Sequence, residues 1–356
     1  MIIEIIVIRK CFSIAVLYSI LLMFLAACSP KNRSIDAQGE FVMGTYCRID
    51  LFEDGSPALY NKLFTRLEEL EKIFSANRDD SELAGVNRNA GIEAVEISAE
   101  LFTVLERALY FAEATDGAFD PTIGPLVKLW GIGTEYARIP PDMEIAAALA
   151  LVNWKELELT AGIKEDLPIA GTAFLKKKGM ALDLGAIAKG YAADDLVSIL
   201  KEAGIKRAVI NLGGNVYVWG KKDNGKPWNV GVQDPAAERG NYLGILELER
   251  SISVVSSGMY ERFFTGDDGK HYHHILELTE NGRGKRGYPA ENGILSATVI
   301  AVSSMDADAL STSCFVLGYS RGMALALANG AEIVYIEEKE IRGSPGAMSI
   351  FTLTSH

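Results

Sequence analysis

The sequence predicts an α+β fold. Apolar residues recur at helical spacing in some segments and at strand spacing in others. Strands crowd into the second half without the strand–helix–strand alternation of a parallel sheet. No internal repeat and no low-complexity stretch breaks the mixture.

Residues 41–52 (FVMGTYCRIDLF) alternate loosely and predict a first strand. Over 58–74, Leu63, Leu67, Leu70, Ile73 and Phe74 line one helical face. A second amphipathic helix is predicted over 98–114, with Ser98 as its N-cap. Residues 117–133 are dense in Gly and Pro and read as an ordered loop. Pro140 and Pro141 open a helix reaching Val152, and a short strand follows over 154–160. Residues 181–184 predict a strand running into a helix over 187–202. An apolar strand over 208–212 stops at Gly213-Gly214. Further strands are predicted over 217–219, 228–232, 244–248, 253–256, 271–276 and 296–302. Helices over 307–317 and 321–329 and a strand over 331–336 complete the pattern.

The 356 residues suit one large domain or two ordinary ones, at roughly 150 residues per domain. With 49 % hydrophobic and 23 % charged residues, disordered and fibrous classes are excluded. A net charge of −12 argues against general nucleic-acid binding, which needs a basic surface. Mean hydropathy is +0.13, raised by the first 27 residues. There Arg9 and Lys10 precede an apolar run that ends Leu25-Ala26-Ala27-Cys28. Small residues before a cysteine predict a lipoprotein leader over 1–27, with Cys28 carrying a diacylglycerol. The alternatives are an uncleaved anchor or a plain secretory signal. All three place the body outside the cytoplasm, and the lipidated leader would tether it at a periplasmic or extracellular membrane face. Residues 28–38 then form a tether and 39–356 the functional domain. Cys47 and Cys314 make no disulfide framework, and no Cys/His spacing suits zinc.

Four stretches carry chemistry. In 117–133, Asp120 stands beside Phe119 in a loop able to present backbone groups to a flat ligand. In 183–194 (DLGAIAKGYAAD), Asp183 ends a strand and Lys189 falls in the first turn of a helix. Exposed N–H groups and a nearby Lys suit a phosphate-bearing ligand, although this is neither a Walker loop nor a GxGxxG fingerprint. The alternative for Lys189 is a solvated helix charge. In 304–318, Asp308, Ser311 and Thr312 share one helical face and are hard oxygen donors of the kind Mg²⁺ prefers. The alternative is a helix N-cap at Asp306 with solvated hydroxyls. In KHYHHILEL, His273 and His274 face opposite sides of a strand, and either is a candidate general base or a surface histidine. The preceding Ser256-Ser257-Gly258-Met259-Tyr260 reads as a polar turn able to touch a ligand.

In order along the chain, these stretches resemble the ApbE family of FAD:protein FMN transferases. The resemblance runs from Met43 to about Gly318 through FVMGTYC, FSANRDDSELAGVN, TDGAFDPTIGPLVKLWGIG, LDLGAIAKGYAAD, INLGGNVYVWG, SSGMYERFF, YHHI and DADALSTSCFVLG. It implies two mixed α+β halves with FAD in the cleft between them. It implies Mg²⁺ at the FAD pyrophosphate, held by Asp308, Ser311, Thr312 and the backbone oxygen of Ala186. FAD contacts are implied at Met43, Asn77, Ala118, Phe119, Asp120, Asp183, Lys189 and Ile275. His274 aligns with the base for the acceptor hydroxyl, and Asp183 and Lys189 join it as catalytic residues. The implied reaction moves FMN from FAD to a Thr or Ser hydroxyl of an exported acceptor flavoprotein and releases AMP. The rivals are an FAD pyrophosphatase and a non-catalytic flavin-binding lipoprotein. The chain departs from the family pattern at Asn77, where many members carry Tyr. It departs again at Glu277 and Leu278, where Asp and Pro are usual, and in a longer, more basic loop over 276–293.

Overall fold

A computed structural model describes residues 36–52, 55–162, 169–222, 225–279 and 285–354. The leader, Cys28, most of the tether and residues 280–284 of the altered loop lie outside the described residues. Strand β1 (Gln38–Val42) turns into β2 (Thr45–Asp50), and α1 (Pro57–Phe74) and α2 (Glu82–Arg88) follow. Next come β3 (Val95–Ser98), α3 (Ala99–Ala114), α4 (Gly124–Trp130) and α5 (Asp142–Leu149). Strands β4 (Leu157–Ala161) and β5 (Ile169–Leu175) lead to α6 (Ala188–Glu202). Then come β6 (Ala208–Leu212), β7 (Asn215–Trp219), β8 (Trp228–Gln233), β9 (Tyr242–Leu248) and β10 (Ile252–Gly258). A small hairpin, β11 (Phe263–Thr265) and β12 (His271–His273), precedes β13 (Ile294–Ala301) and the long α7 (Ser304–Ala328). The chain closes with β14 (Glu332–Glu337), β15 (Ile341–Gly343), α8 (Pro345–Ile350) and β16 (Phe351–Leu353).

The main sheet has eight strands in the order β1-β2-β6-β7-β10-β13-β14-β15. All its pairings are antiparallel. Its inner strands β10, β13 and β14 bury both faces, and the period of two separates them. In β13 and β14, Ala297, Val299, Ile333 and Tyr335 join the helix-covered core. Ile300, Val334 and Ile336 point the other way, against Trp228, Val232 and Leu246 of the sheet β16-β9-β8. A third cluster, Leu126, Trp130, Ile145, Leu276 and Leu278, holds α4 and α5 against the segment after β12.

The helices follow their sequence signals. Ser56 caps α1 by accepting from Leu59 N at 3.2 Å, and Ser98 caps α3 by accepting from Leu101 N at 3.2 Å. Such caps contribute about 1 kcal/mol each. Several expectations are corrected. The predicted first strand is the hairpin β1–β2, because Met43 and Gly44 take positive φ (56° and 67°) and reverse the chain. The predicted loop 117–133 contains α4: Pro125 is tolerated in the first turn, and Gly131 ends the helix in the left-handed region. Residues 181–184 make only a single bridge, Ala181 to Ile123. The helix after Pro141 is shorter than expected and stops at Leu149. The two predicted helices near 307–329 are one element broken at Gly318 (φ 74°).

Helices α6 and α7 pack face to face, and this contact positions the site. At Gly190 a side chain would collide with Ser304 O and reach within 2.6 Å of Met305 Cα. Asp194, one turn further along α6, ties down the start of α7. It accepts from Ser304 N at 2.9 Å, Met305 N at 3.0 Å and Ser303 Oγ at 3.1 Å.

Candidate active site

The centre of the site is the start of α6. Lys189 folds back so that Nζ donates to Gly185 O at 2.7 Å and stands 3.8 Å from Asp308 Oδ1. The other oxygen of Asp308 accepts from Gly190 N at 2.9 Å. Burial pushes the Asp308 carboxyl up, while Lys189 and the Gly190 amide pull it down. One turn along α7, the Ser311 and Thr312 hydroxyls lie 2.8 Å and 3.1 Å from Ser257 Oγ. The Ser256–Gly258 stretch is the end of β10 rather than a turn, so Ser257 is held by the sheet. Asp306 does not cap the helix: Ser303 does, accepting from Asp306 N at 3.1 Å. Asp306 instead accepts from Arg107 at 2.7 and 2.9 Å.

The donor chemistry suits a hard divalent cation. Asp308, Ser311 and Thr312 offer oxygen only, and Ser257 Oγ joins their hydroxyls within hydrogen-bond distance. Ala186, whose carbonyl is the fourth implied donor, sits half-buried in the turn just before α6. Among the described residues, no three His, Cys, Asp or Glu side chains gather as a metal site.

The loop after α3 lies alongside. Asp183 N donates to Pro121 O at 2.9 Å, and Gly124 N to Ala181 O at 3.1 Å. Asp183 Oδ1 accepts from Gly185 N at 2.9 Å and shapes the turn into α6. Asp120 is buried and occupied: it accepts from Thr122 N at 2.8 Å, Thr122 Oγ1 at 2.6 Å and Trp154 N at 2.9 Å. Burial pushes its carboxyl up against those donors. Asp120 therefore braces the loop, and Ala118 and Phe119, both buried, are held by it and by Thr115, which accepts from Phe119 N at 3.0 Å. Asn87, overlooked in the sequence, clamps the same strip. Its side chain donates to Leu182 O at 3.0 Å and accepts from Leu182 N at 2.7 Å.

The two histidines separate cleanly. His273 is buried, its Nε2 lies 3.1 Å from Ala290 O, and its Nδ1 accepts from Ile275 N at 3.3 Å. Both nitrogens are used. Burial pushes its pKa down to about 4. His274 is half-buried; its Nδ1 lies 3.2 Å from Arg262 O, and among the described residues its Nε2 has no hydrogen-bond partner. A carbonyl can only accept, so Nδ1 carries the proton and Nε2 keeps its lone pair. Burial first, then the charge of Arg262 and its neighbour His273, push the His274 pKa down to about 3. The ring is thus neutral and open at the nitrogen a base would use.

Arg262 Nη2 lies 3.4 Å from Gly44 O, next to Met43, and Ile275 is buried beside His274 in the chain. Gly44 N donates to Glu71 at 3.2 Å, and Glu71 lies 3.8 Å from Arg78. Asn77, the neighbour of Arg78, is exposed; its backbone N donates to Ser75 Oγ at 3.2 Å. No hydrogen bond ties its side chain to the site among the described residues. Glu261 and Arg262 were not singled out from the sequence, although both stand in the SSGMYERFF stretch.

Fold and site together define an α+β protein that presents a helix start, a lysine and a hard-oxygen donor set beside a neutral imidazole. A model of the ApbE family matches residues 43–335, and the chain belongs to the ApbE family. It is 39 % identical over 324 residues to the FAD:protein FMN transferase of Treponema pallidum (strain Nichols), covering 87 % of each chain. It is 31 % identical over 323 residues to the FAD:protein FMN transferase of Vibrio cholerae, covering 88 % of this chain and 91 % of that one. Among solved structures it is similar to the ApbE protein of Thermotoga maritima, with a TM-score of 0.75 and 32 % identity over 88 % of this chain and 98 % of that chain. The flavin transferase ApbE of Vibrio cholerae gives a TM-score of 0.74 at 29 % identity, with the same coverage.

Proposed function

We propose that the protein is a Mg²⁺-dependent FAD:protein FMN transferase. It moves FMN to a Thr or Ser hydroxyl of an exported acceptor flavoprotein, forms a phosphoester and releases AMP. The observation that carries this reading is the meeting of Lys189 and Asp308 at the start of α6, in a chain whose relatives bear that name. An acidic protein that binds a dianionic pyrophosphate needs local positive charge. Lys189 and the positive end of the α6 dipole supply part of it.

The residues divide the work. Ala118 and Phe119, in the loop braced by Asp120, present backbone and an aromatic edge to the flavin nucleotide, with Met43 and Ile275 opposite. Asp183 holds the turn into α6, and Lys189 at the start of that helix would meet the pyrophosphate. Asp308, Ser311, Thr312 and Ala186 O would hold Mg²⁺, whose charge would offset that of the pyrophosphate and of the departing AMP. His274 Nε2 takes the proton of the acceptor hydroxyl as its oxygen approaches phosphorus. Leader sequence and Cys28 support a lipid anchor at a membrane face outside the cytoplasm.

Incubation with FAD, Mg²⁺ and a candidate acceptor tests the proposal. Transfer yields a fluorescent acceptor band that survives denaturation, together with AMP. Free FMN with an unlabelled acceptor would instead identify hydrolysis, and retained FAD with no AMP would identify a binding protein.

A further inference from the structure

We infer that Arg262 is a further catalytic cation of this site, donating to the phosphate that carries the FMN half during transfer. The inference rests on the transferase reading and adds a residue to it. Three segments meet at Arg262. Its backbone oxygen takes both His274 N, at 3.1 Å, and His274 Nδ1, at 3.2 Å. Its Nη2 reaches Gly44 O, next to Met43, at 3.4 Å. Its aliphatic stem crosses Gly133, where an added Cβ would stand 3.3 Å from Arg262 Cδ. Gly133 has φ +87° and no side chain, so the loop after α4 leaves room for the arginine to lie there.

The guanidinium is not used up by the fold. Arg66 and Arg107 are tied to carboxylates at 2.8 Å and 2.7 Å. Arg262 is exposed, and among the described residues no carboxylate lies within 4.0 Å of it. Even its sequence neighbour Glu261 is turned toward Arg239, at 3.8 Å. One long hydrogen bond leaves most of the five guanidinium N–H donors free. A planar fork with free donors suits two phosphate oxygens, which a lysine point charge cannot match.

Position decides which phosphate. Arg262 is fixed to the histidine that handles the acceptor hydroxyl, whereas Lys189 is fixed to Asp308. The charges of both cations are felt at Glu261 and at His274. In the reaction, the acceptor oxygen forms a bond to the FMN phosphorus. The bond from that phosphorus to the bridging oxygen breaks, AMP leaves with that oxygen, and the hydroxyl proton passes to His274 Nε2. Negative charge collects on the phosphoryl oxygens in the transition state, on the side of His274 and Arg262. Burial first, and then the charge of Arg262, lowers the His274 pKa against the pull of the Arg262 carbonyl.

The test compares R262A, R262K and H274Q with the parent, using FAD, Mg²⁺ and a Thr-bearing acceptor. Flavin fluorescence on binding confirms that each variant is folded and gives the saturating FAD concentration. R262A is expected to lower the transfer rate at saturating FAD by about 10²- to 10³-fold. R262K is expected to recover part of that loss, and the acid limb of the residual R262A activity to move to higher pH. A rate within about threefold of the parent at saturating FAD overturns the inference, as does a change confined to FAD affinity. If H274Q keeps the parental rate and pH profile, the base assignment fails. Arg262 is then judged on its own rate loss and lysine rescue.

Discussion

Gly190→Ala is a small change at the point where α6 and α7 touch. The added methyl would lie 2.6 Å from Met305 Cα and 2.7 Å from Ser304 C, and would overlap Ser304 O. Carbon atoms pack at about 3.5–4.0 Å, so α7 must retreat by roughly 1 Å. Overpacking of this kind costs about 1–3 kcal/mol. In a chain of this size that is a fall of a few degrees, about 2–4 °C per kcal/mol. The larger effect is on geometry. Gly190 N is the donor that holds Asp308 Oδ2 at 2.9 Å, and Lys189 is already 3.8 Å from Oδ1. A retreat of α7 lengthens both. A displacement of about 1 Å in a catalytic constellation costs on the order of 10² in rate. Thermal unfolding should show a modest fall, while FAD turnover should fall about a hundredfold and need more Mg²⁺. Parental turnover with an unchanged Mg²⁺ requirement would refute the view that the α6–α7 contact positions the site.

Asp308→Ala should abolish Mg²⁺-dependent AMP release; activity equal to the parent would show that the metal lies elsewhere. His273 gives a pH prediction. Its folded pKa, about 4, is below the ordinary imidazole value of 6.5, so its contribution is present above pH 6.5 and is lost as pH falls toward 4. The loss is of the order of 3 kcal/mol at most, and urea titrations of H273Q between pH 7 and 4 should be flatter than those of the parent by up to that amount. Cys28→Ala should release the protein from membranes in cell fractionation, and continued membrane association would point to an uncleaved anchor.

Much of the site is legible as local pattern. The spacing of Asp308, Ser311 and Thr312 puts them on one face of any helix, and Lys189 falls where a helix must start after Gly185. Helices α1 and α3 announce themselves through apolar period and Ser caps. The hairpin at Met43-Gly44 was hidden because a non-glycine residue takes the positive φ there. Helix α4 was hidden because Gly and Pro, which punctuate loops, here sit at the two helix ends where they are tolerated. Asn87 and Asp194 looked like ordinary polar residues, since their partners Leu182 and Ser304 lie far along the chain.

Along one helix or strand, side-chain direction follows from backbone period alone. The order of motifs, the shared face of Asp308, Ser311 and Thr312, and the family resemblance were therefore readable without coordinates. Which histidine is free was not. His273 and His274 are adjacent, and a strand merely sends them to opposite sides. Only the folded chain brings Ala290 O to one ring and Arg262 O to the other, so that one imidazole is satisfied and the other keeps a lone pair. The Asp308–Gly190 bond is likewise a tertiary fact, since it joins residues 118 positions apart. A hydrogen bond needs its partner within about 3 Å, and at such separations only packing of the whole core sets that distance.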